Sequence, residues 1–254
     1  MKVLFIGNSH QLCVKAAVKD SELDPGSFRF LHVHGKRLGD ALSITGKQLN
    51  LLSSQATIRT DHSIGQDGEI PIDEFDVFVL AALGLASPRA ENRFALANQV
   101  RHARFAGAGT EGPPLVSEAI YSTMMEDAVQ GSDLVAFAPS LHKATNRPVL
   151  MMRWPPPCIQ TLDPEASHFR NYYGEEAEAA MRWYGRTLCH ITQRIGDAFE
   201  QGVSLLDSIP ADWAESGLTP QEFASSDSWH LNQDYGEGII RQISATFGLP
   251  KTSS

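Results

Sequence analysis

Lys2-Val3-Leu4-Phe5-Ile6-Gly7-Asn8-Ser9-His10 joins a short apolar run to a glycine and a polar turn. A buried strand that stops at glycine and then offers Asn and Ser predicts a strand–turn–helix unit. Gly7 permits a sharp turn and a close backbone approach to a ligand. Ser9 then stands at the carboxyl end of the first strand, where open α/β sheets place their sites. The unpaired N–H groups of the following helix face the same space. Taken by itself, the stretch is equally served by Asn8 or Ser9 acting only as a helix cap.

Working outward, Gln11 to Lys19 continues as a helix, with Leu12, Val14, Ala16, Ala17 and Val18 giving it a partly apolar face. Asp24-Pro25-Gly26 is a turn. Phe28 to His34 alternates as a second strand. His32 and His34 share one face of it, and without a third ligand at suitable spacing they read as ordinary, partly exposed histidines. Residues 35–70 are weakly patterned, with Gly35, Gly39, Gly46, Gly65 and Gly68 among polar residues. One or two short helices and long loops over one end of the sheet are expected there. Phe75 to Ala82 is a continuous apolar run, as in a parallel strand covered on both faces. It ends at a second glycine-containing turn, Leu83-Gly84-Leu85-Ala86-Ser87-Pro88.

A helical region is expected next, broken near Gly107-Ala108-Gly109 and at Gly112-Pro113-Pro114, with helices over Val116–Val129 and Asp133–Leu141 and Ser132 as an N-cap. Pro148 to Arg153 is a further strand, ended by Trp154-Pro155-Pro156-Pro157, which cannot pair in a sheet and forms a rigid loop. Ala177, Met181, Tyr184, Leu188, Ile191 and Ile195 mark a long amphipathic helix. Val203 to Leu206 is the last strand, and a closing helix runs through Ile239, Ile240 and Ile243. Four or five strands alternating with helices define a three-layer α/β/α sandwich with a mostly parallel, about five-stranded sheet. With no internal repeat or linker, residues 1–254 are expected to form one domain.

Hydrophobic residues make up 42% of the 254 and charged residues 20%, a globular balance. The formal net charge of −9 opposes partnership with nucleic acid or an anionic membrane, since phosphate recognition needs a basic surface. Nothing approaches the roughly 18 apolar residues that span a bilayer. The N-terminal residues lack the pattern of a signal peptide. Cys13, Cys158 and Cys189 are odd in number and widely spaced, as expected of buried thiols in a reducing cytoplasm.

Near the other end stands Asp227-Ser228-Trp229-His230. On a helical turn, or a tight loop of similar shape, this spacing brings the carboxylate and the imidazole to one side. Such a carboxylate fixes the imidazole's tautomer and stabilises the imidazolium that forms when the ring takes a proton. Ser9 supplies the missing nucleophile if the last loop folds over the same end of the sheet; chain order is no obstacle, because such triads are defined by geometry. The plainer reading is that Asp227 caps the closing helix and His230 lies on the surface of its first turn.

Gly7-Asn8-Ser9-His10 together with Asp227-x-x-His230 resembles the SGNH (GDSL-like) hydrolase superfamily, whose members have a three-layer α/β/α fold and are mostly esterases, lipases, deacetylases and some acyltransferases. The resemblance implies Ser9 as nucleophile, His230 as general base and acid, and Asp227 as the residue orienting it. The turn at Gly84 falls where that family carries a Gly-x-Asn-Asp block. Here the sequence departs from the pattern, with Ala86 in place of the oxyanion asparagine, which leaves the Ser9 and Gly84 N–H groups as the expected oxyanion donors and Asn8, Gly46 or Gly65 as candidates for a third. Asn8, His10 and Trp154 are expected to line the substrate side.

The function so implied is hydrolysis of a small-molecule or carbohydrate O-acyl ester through a Ser–His–Asp triad, with no metal or cofactor. Two alternatives stay open: an acyltransferase of polysaccharide metabolism on the same triad, and a lapsed domain that only binds a ligand or partner.

Overall fold

The computed structural model describes residues 1–34, 41–52, 57–60, 69–83, 96, 99–107, 111–162, 168–225 and 230–249. Its strands are β1 (Val3–Gly7), β2 (Phe28–His34), β3 (Leu42–Thr45), β4 (Gln48–Leu51), β5 (Thr57–Thr60), β6 (Glu69–Pro71), β7 (Val77–Leu83), β8 (Arg101–His102), β9 (Leu115–Val116), β10 (Val149–Arg153) and β11 (Val203–Leu205). Its α-helices are α1 (Leu12–Asp20), α2 (Glu118–Gln130), α3 (Asp133–Thr145), α4 (His168–Tyr173), α5 (Ala177–Asp197), α6 (Ala211–Ser216) and α7 (Gln233–Phe247).

The central sheet runs β11-β10-β7-β1-β2-β5. The first five of these strands are parallel, and β5 adds an antiparallel edge. Numbered along the chain, the parallel strands stand in the order 2-1-3-4-5 of flavodoxin-like sheets. From β1 the chain winds to β2 on one side and, through β7, to β10 and β11 on the other, so the winding reverses between β1 and β7. Open α/β sheets have their binding crevice at the carboxyl ends of the strands flanking such a reversal.

Alternation within the strands builds the two outer layers. Leu4 and Ile6 of β1, Phe78 and Leu80 of β7, and Val149 and Met151 of β10 face Tyr121 and Met125 of α2, Phe137 and Leu141 of α3, and the apolar stripe of α5. Val3 and Phe5, Val77 and Val79, and Leu150 and Met152 face the opposite way, onto Val14 and Val18 of α1, Trp213 of α6, and Ile239, Ile240 and Ile243 of α7. Each such side chain removed from water contributes about 1.5–3 kcal/mol. The architecture is the expected three-layer α/β/α sandwich. No helix among the described residues is long and apolar enough to cross a membrane.

Two stretches differ from the sequence reading. Part of residues 35–70 is strand: β3, β4 and β6 form a small antiparallel sheet that adds Leu42, Leu49 and Ile70 to the α2/α3 side of the core. Gly46 (φ 58°) and Lys47 make the two-residue turn between β3 and β4, and such turns need a positive φ that glycine adopts freely. In the region expected to be helical after β7, Arg101–His102 pairs with Leu115–Val116, followed by a single 3₁₀ turn at Ala103–Phe105. Ser132 does stand at the N-cap of α3, but its side chain makes no capping bond.

His102 is buried among Phe105, Tyr121 and Trp183, the last with ring centroids 4.3 Å apart. The Arg104 N–H donates to its Nδ1 (3.1 Å), so the neutral ring carries its proton on Nε2. Nε2 is 3.9 Å from the Glu118 carboxylate and has no hydrogen-bond partner among the described residues. Burial holds this imidazole below its ordinary value, with Glu118 opposing the shift. A histidine whose pKa is lowered by folding binds protons more readily in the unfolded chain, so stability falls as pH drops below the unfolded value of about 6.5.

Two outcomes are expected. Melting at pH 7.5 and at pH 5.5 gives a lower midpoint at pH 5.5, and His102→Phe narrows the gap; an equal gap in both proteins contradicts the assignment. Gly7→Ala places a Cβ 1.7 Å from the Ala81 carbonyl oxygen, and urea unfolding is expected to show a loss of about 3 kcal/mol or more.

Candidate active site

The turn after β1 is fixed by four bonds. Asn8 N–H donates to the Ala81 carbonyl of β7 (3.2 Å), which anchors the chain at the reversal between β1 and β7. The Asn8 side chain accepts from the His10 N–H (3.0 Å) and caps the 3₁₀ turn Ser9–Gln11 that leads into α1. Gln11, fully buried, donates through Nε2 to the carbonyls of Gly7 (3.1 Å) and Leu31 (3.1 Å), tying the end of β1 to the middle of β2. Sequence reading placed Gln11 only as the first residue of a helix. A polar residue at that position carries no local signal of the buried bridge it forms.

His230 arrives from the other end of the chain. Ala224 and Leu231 form an antiparallel bridge, Ser225 N–H donates to the His230 carbonyl (2.8 Å), and Asn232 N–H donates to the Phe223 carbonyl (2.9 Å). Leu231 is buried with the α1/α7 side of the core. The cap of the closing helix is Asn232, whose side chain accepts from Tyr235 N–H. His230 therefore precedes the helix and sits on a bend, not in the helix's first turn. Asp227 lies outside the described residues, as do Gly84 and Ala86.

These two segments meet. His230 Nε2 is 2.6 Å from Ser9 Oγ, across 221 residues of sequence. For the hydroxyl to donate in that bond, Nε2 must be unprotonated and the ring proton must lie on Nδ1. That is the arrangement in which an imidazole accepts a serine proton as the oxygen becomes a nucleophile.

His10 is 6% exposed, and its ring lies 4.0 Å from that of Trp154 and 5.2 Å from that of His230, centroid to centroid. Trp154 is half-buried. It follows the register shift between Met152 and Arg153 at the end of β10, the kind of irregularity that re-aims side chains beside a site. The proline run after it is pinned by Thr219, whose hydroxyl donates to the Pro156 carbonyl (2.6 Å) and whose N–H donates to that of Pro157 (3.1 Å). Ser9, Asn8, His10, Trp154 and His230 thus gather at one end of the sheet. Arg153 turns elsewhere: its guanidinium donates to Gln193 Oε1 (3.0 Å) and lines a cleft of about 670 Å³ beside α5 and α6 that includes neither Ser9 nor His230.

Cys13, one turn from Ser9, is the nearby competitor for the role of nucleophile. Its Sγ–H donates to the His10 carbonyl (3.1 Å), and burial pushes the thiol up to about 12. The thiolate, which is the reactive form, is therefore scarce at neutral pH. Cys13, Cys158 and Cys189 are all buried and unpaired with one another, as expected.

Fold and site together describe an α/β sandwich with a serine–histidine pair at its topological switch point. Comparison of the chain with family models, with curated proteins and with solved structures gave no match.

The Asn8 cap yields a direct test. Asn8→Ala is expected to lower stability by about 1 kcal/mol while Asn8→Asp retains it, because either carbonyl-type oxygen caps the turn. Equal losses in the two variants, measured by urea unfolding, would mean that the Asn8 cap does not hold the turn that carries Ser9.

Proposed function

We propose that the chain is a serine hydrolase of the SGNH type, acting on an O-acyl ester of a small molecule or carbohydrate. The observation that carries the reading is the 2.6 Å contact between His230 Nε2 and Ser9 Oγ at the carboxyl end of the sheet. Ser9 Oγ attacks the acyl carbonyl while its proton passes to His230 Nε2. The tetrahedral intermediate collapses as His230 returns that proton to the departing alcohol, leaving an acyl-serine. Water, deprotonated by the same imidazole, then releases the acid and restores the hydroxyl.

In this proposal Asp227, three residues before His230 in sequence, accepts from Nδ1–H and keeps the ring in the required tautomer. The backbone N–H groups of Ser9 and Gly84 receive the oxyanion. With alanine at position 86 the side-chain donor is missing, and one lost oxyanion donor lowers turnover by roughly 10²–10³. Trp154 supplies a flat wall for the sugar or acyl group. No metal or cofactor takes part in these steps, and the buried thiols suit a cytoplasmic setting.

A fluorophosphonate probe tests the proposal. The wild-type protein is expected to label at Ser9. Ser9→Ala abolishes labelling, and His230→Ala slows it by about a hundredfold or more, the usual worth of a general base. A folded wild-type protein that neither labels nor cleaves p-nitrophenyl acetate sinks the enzyme reading and favours a binding domain. Acyl transfer to an added sugar, detected in the products, identifies the transferase instead.

A further inference from the structure

We propose that His10 is a positioning residue whose ring, backed by Trp154, forms the wall that holds the His230 imidazole against Ser9. Its kinetic consequence rests on the hydrolase reading above; its geometric consequence does not. His10 was expected to meet substrate, yet it is only 6% exposed, and its ring lies between those of Trp154, tilted by 56° with centroids 4.0 Å apart, and His230, tilted by 45° with centroids 5.2 Å apart.

The backbone that carries this ring is fixed on both sides. Its N–H is held by Asn8 Oδ1 (3.0 Å), and its carbonyl accepts from the Cys13 thiol (3.1 Å). Trp154 behind it stands at the head of a proline loop pinned by Thr219. The wall is therefore held independently of the segment that carries His230. His230 stands on a bend outside any helix, and the terminal torsion of an imidazole has a broad well. A lateral ring contact narrows that well at the angle where Nε2 meets Ser9 Oγ. Positioning of this kind matters because a displacement of about 1 Å can cost roughly a hundredfold in rate.

Two readouts on the intact protein test this. In ring-selective NMR the wild-type His230 signal is expected to show one neutral tautomer, protonated on Nδ1. His10→Ala is expected to broaden it toward tautomer exchange, and His10→Phe, which restores a flat ring, to recover it. With a fluorophosphonate probe, His10→Ala is expected to lower the limiting inactivation rate about tenfold or more, with probe affinity changed less than about threefold. His10→Phe is expected to return the rate to within about threefold of wild type. If His10→Ala does not fold, His10→Leu replaces it, keeping bulk and losing the flat face.

An unchanged His230 signal in the alanine variant overturns the proposal, as does a phenylalanine variant that fails to rescue. A loss confined to probe affinity makes His10 a substrate contact and overturns it equally. If the wild-type protein does not label at all, the hydrolase reading fails while the ring spectra still decide the role of His10.

Discussion

The close approach of α7 to α1 is the constraint on which the rest depends. Gly236, in the first turn of α7, lies so near α1 that a Cβ there would stand 2.2 Å from the Cys13 carbonyl oxygen. Only glycine permits that spacing, and with it Tyr235, Ile239, Ile240 and Ile243 settle beside Cys13, Val14, Ala17 and Val18 on the face of β1. The last helix is thereby docked on the first. Because Asn232 caps α7 and Leu231 is buried immediately before it, the docking also sets where the chain enters the helix. His230 is delivered to the carboxyl end of β1 as a consequence of helix packing.

The serine's side of the contact is built from different forces. Close packing of Gly7 against Ala81 lets Asn8 bond across to β7, and buried Gln11 collects the carbonyls of Gly7 and Leu31. Carbonyls at the end of a buried strand need partners, and an orphaned one costs about 1–3 kcal/mol. Gln11 meets that need from within the turn, so the residues between Gly7 and Gln11 are held at both ends. Ser9 is one of the three residues so confined. A strand-to-helix connection thereby becomes a mount that holds a hydroxyl in place.

Sequence reading reached the sheet because its strands are unusually explicit. β1, β7 and β10 are covered on both faces, and burial on both faces writes a continuous apolar run. The hairpin of β3 and β4 was missed for the opposite reason. Its strands are four residues each, half-exposed, and joined by Gly46 in a stretch where glycines are frequent. The alternation of Leu42 with Ile44 and of Leu49 with Leu51 was the available signal, and it is too short to stand out from its polar surroundings. At the site, the pairing of Ser9 with His230 was legible because their residue types and neighbours suggest one another. Gln11 and Gly236 were not, because their roles exist only when distant segments meet, and no local pattern encodes such a meeting.

The contrast between Ser9 and Cys13 shows why position outweighs intrinsic reactivity here. A thiol is the better nucleophile in water, yet Cys13 points into the core, donates to the His10 carbonyl, and is held protonated by burial. Ser9, one 3₁₀ turn earlier, lies where the turn opens toward the other chain end, and its hydroxyl meets an imidazole at 2.6 Å. A hydroxyl has almost no anionic form at neutral pH and gains nucleophilicity only through a base placed to take its proton as it attacks. The two segments that supply hydroxyl and imidazole are anchored separately, one by the carbonyls of Gly7, Leu31 and Ala81 and the other by a buried leucine and a docked helix. In the proposed hydrolase little ordering is then left to be done when a substrate arrives, and that preorganisation is what a serine nucleophile requires and a thiolate would not.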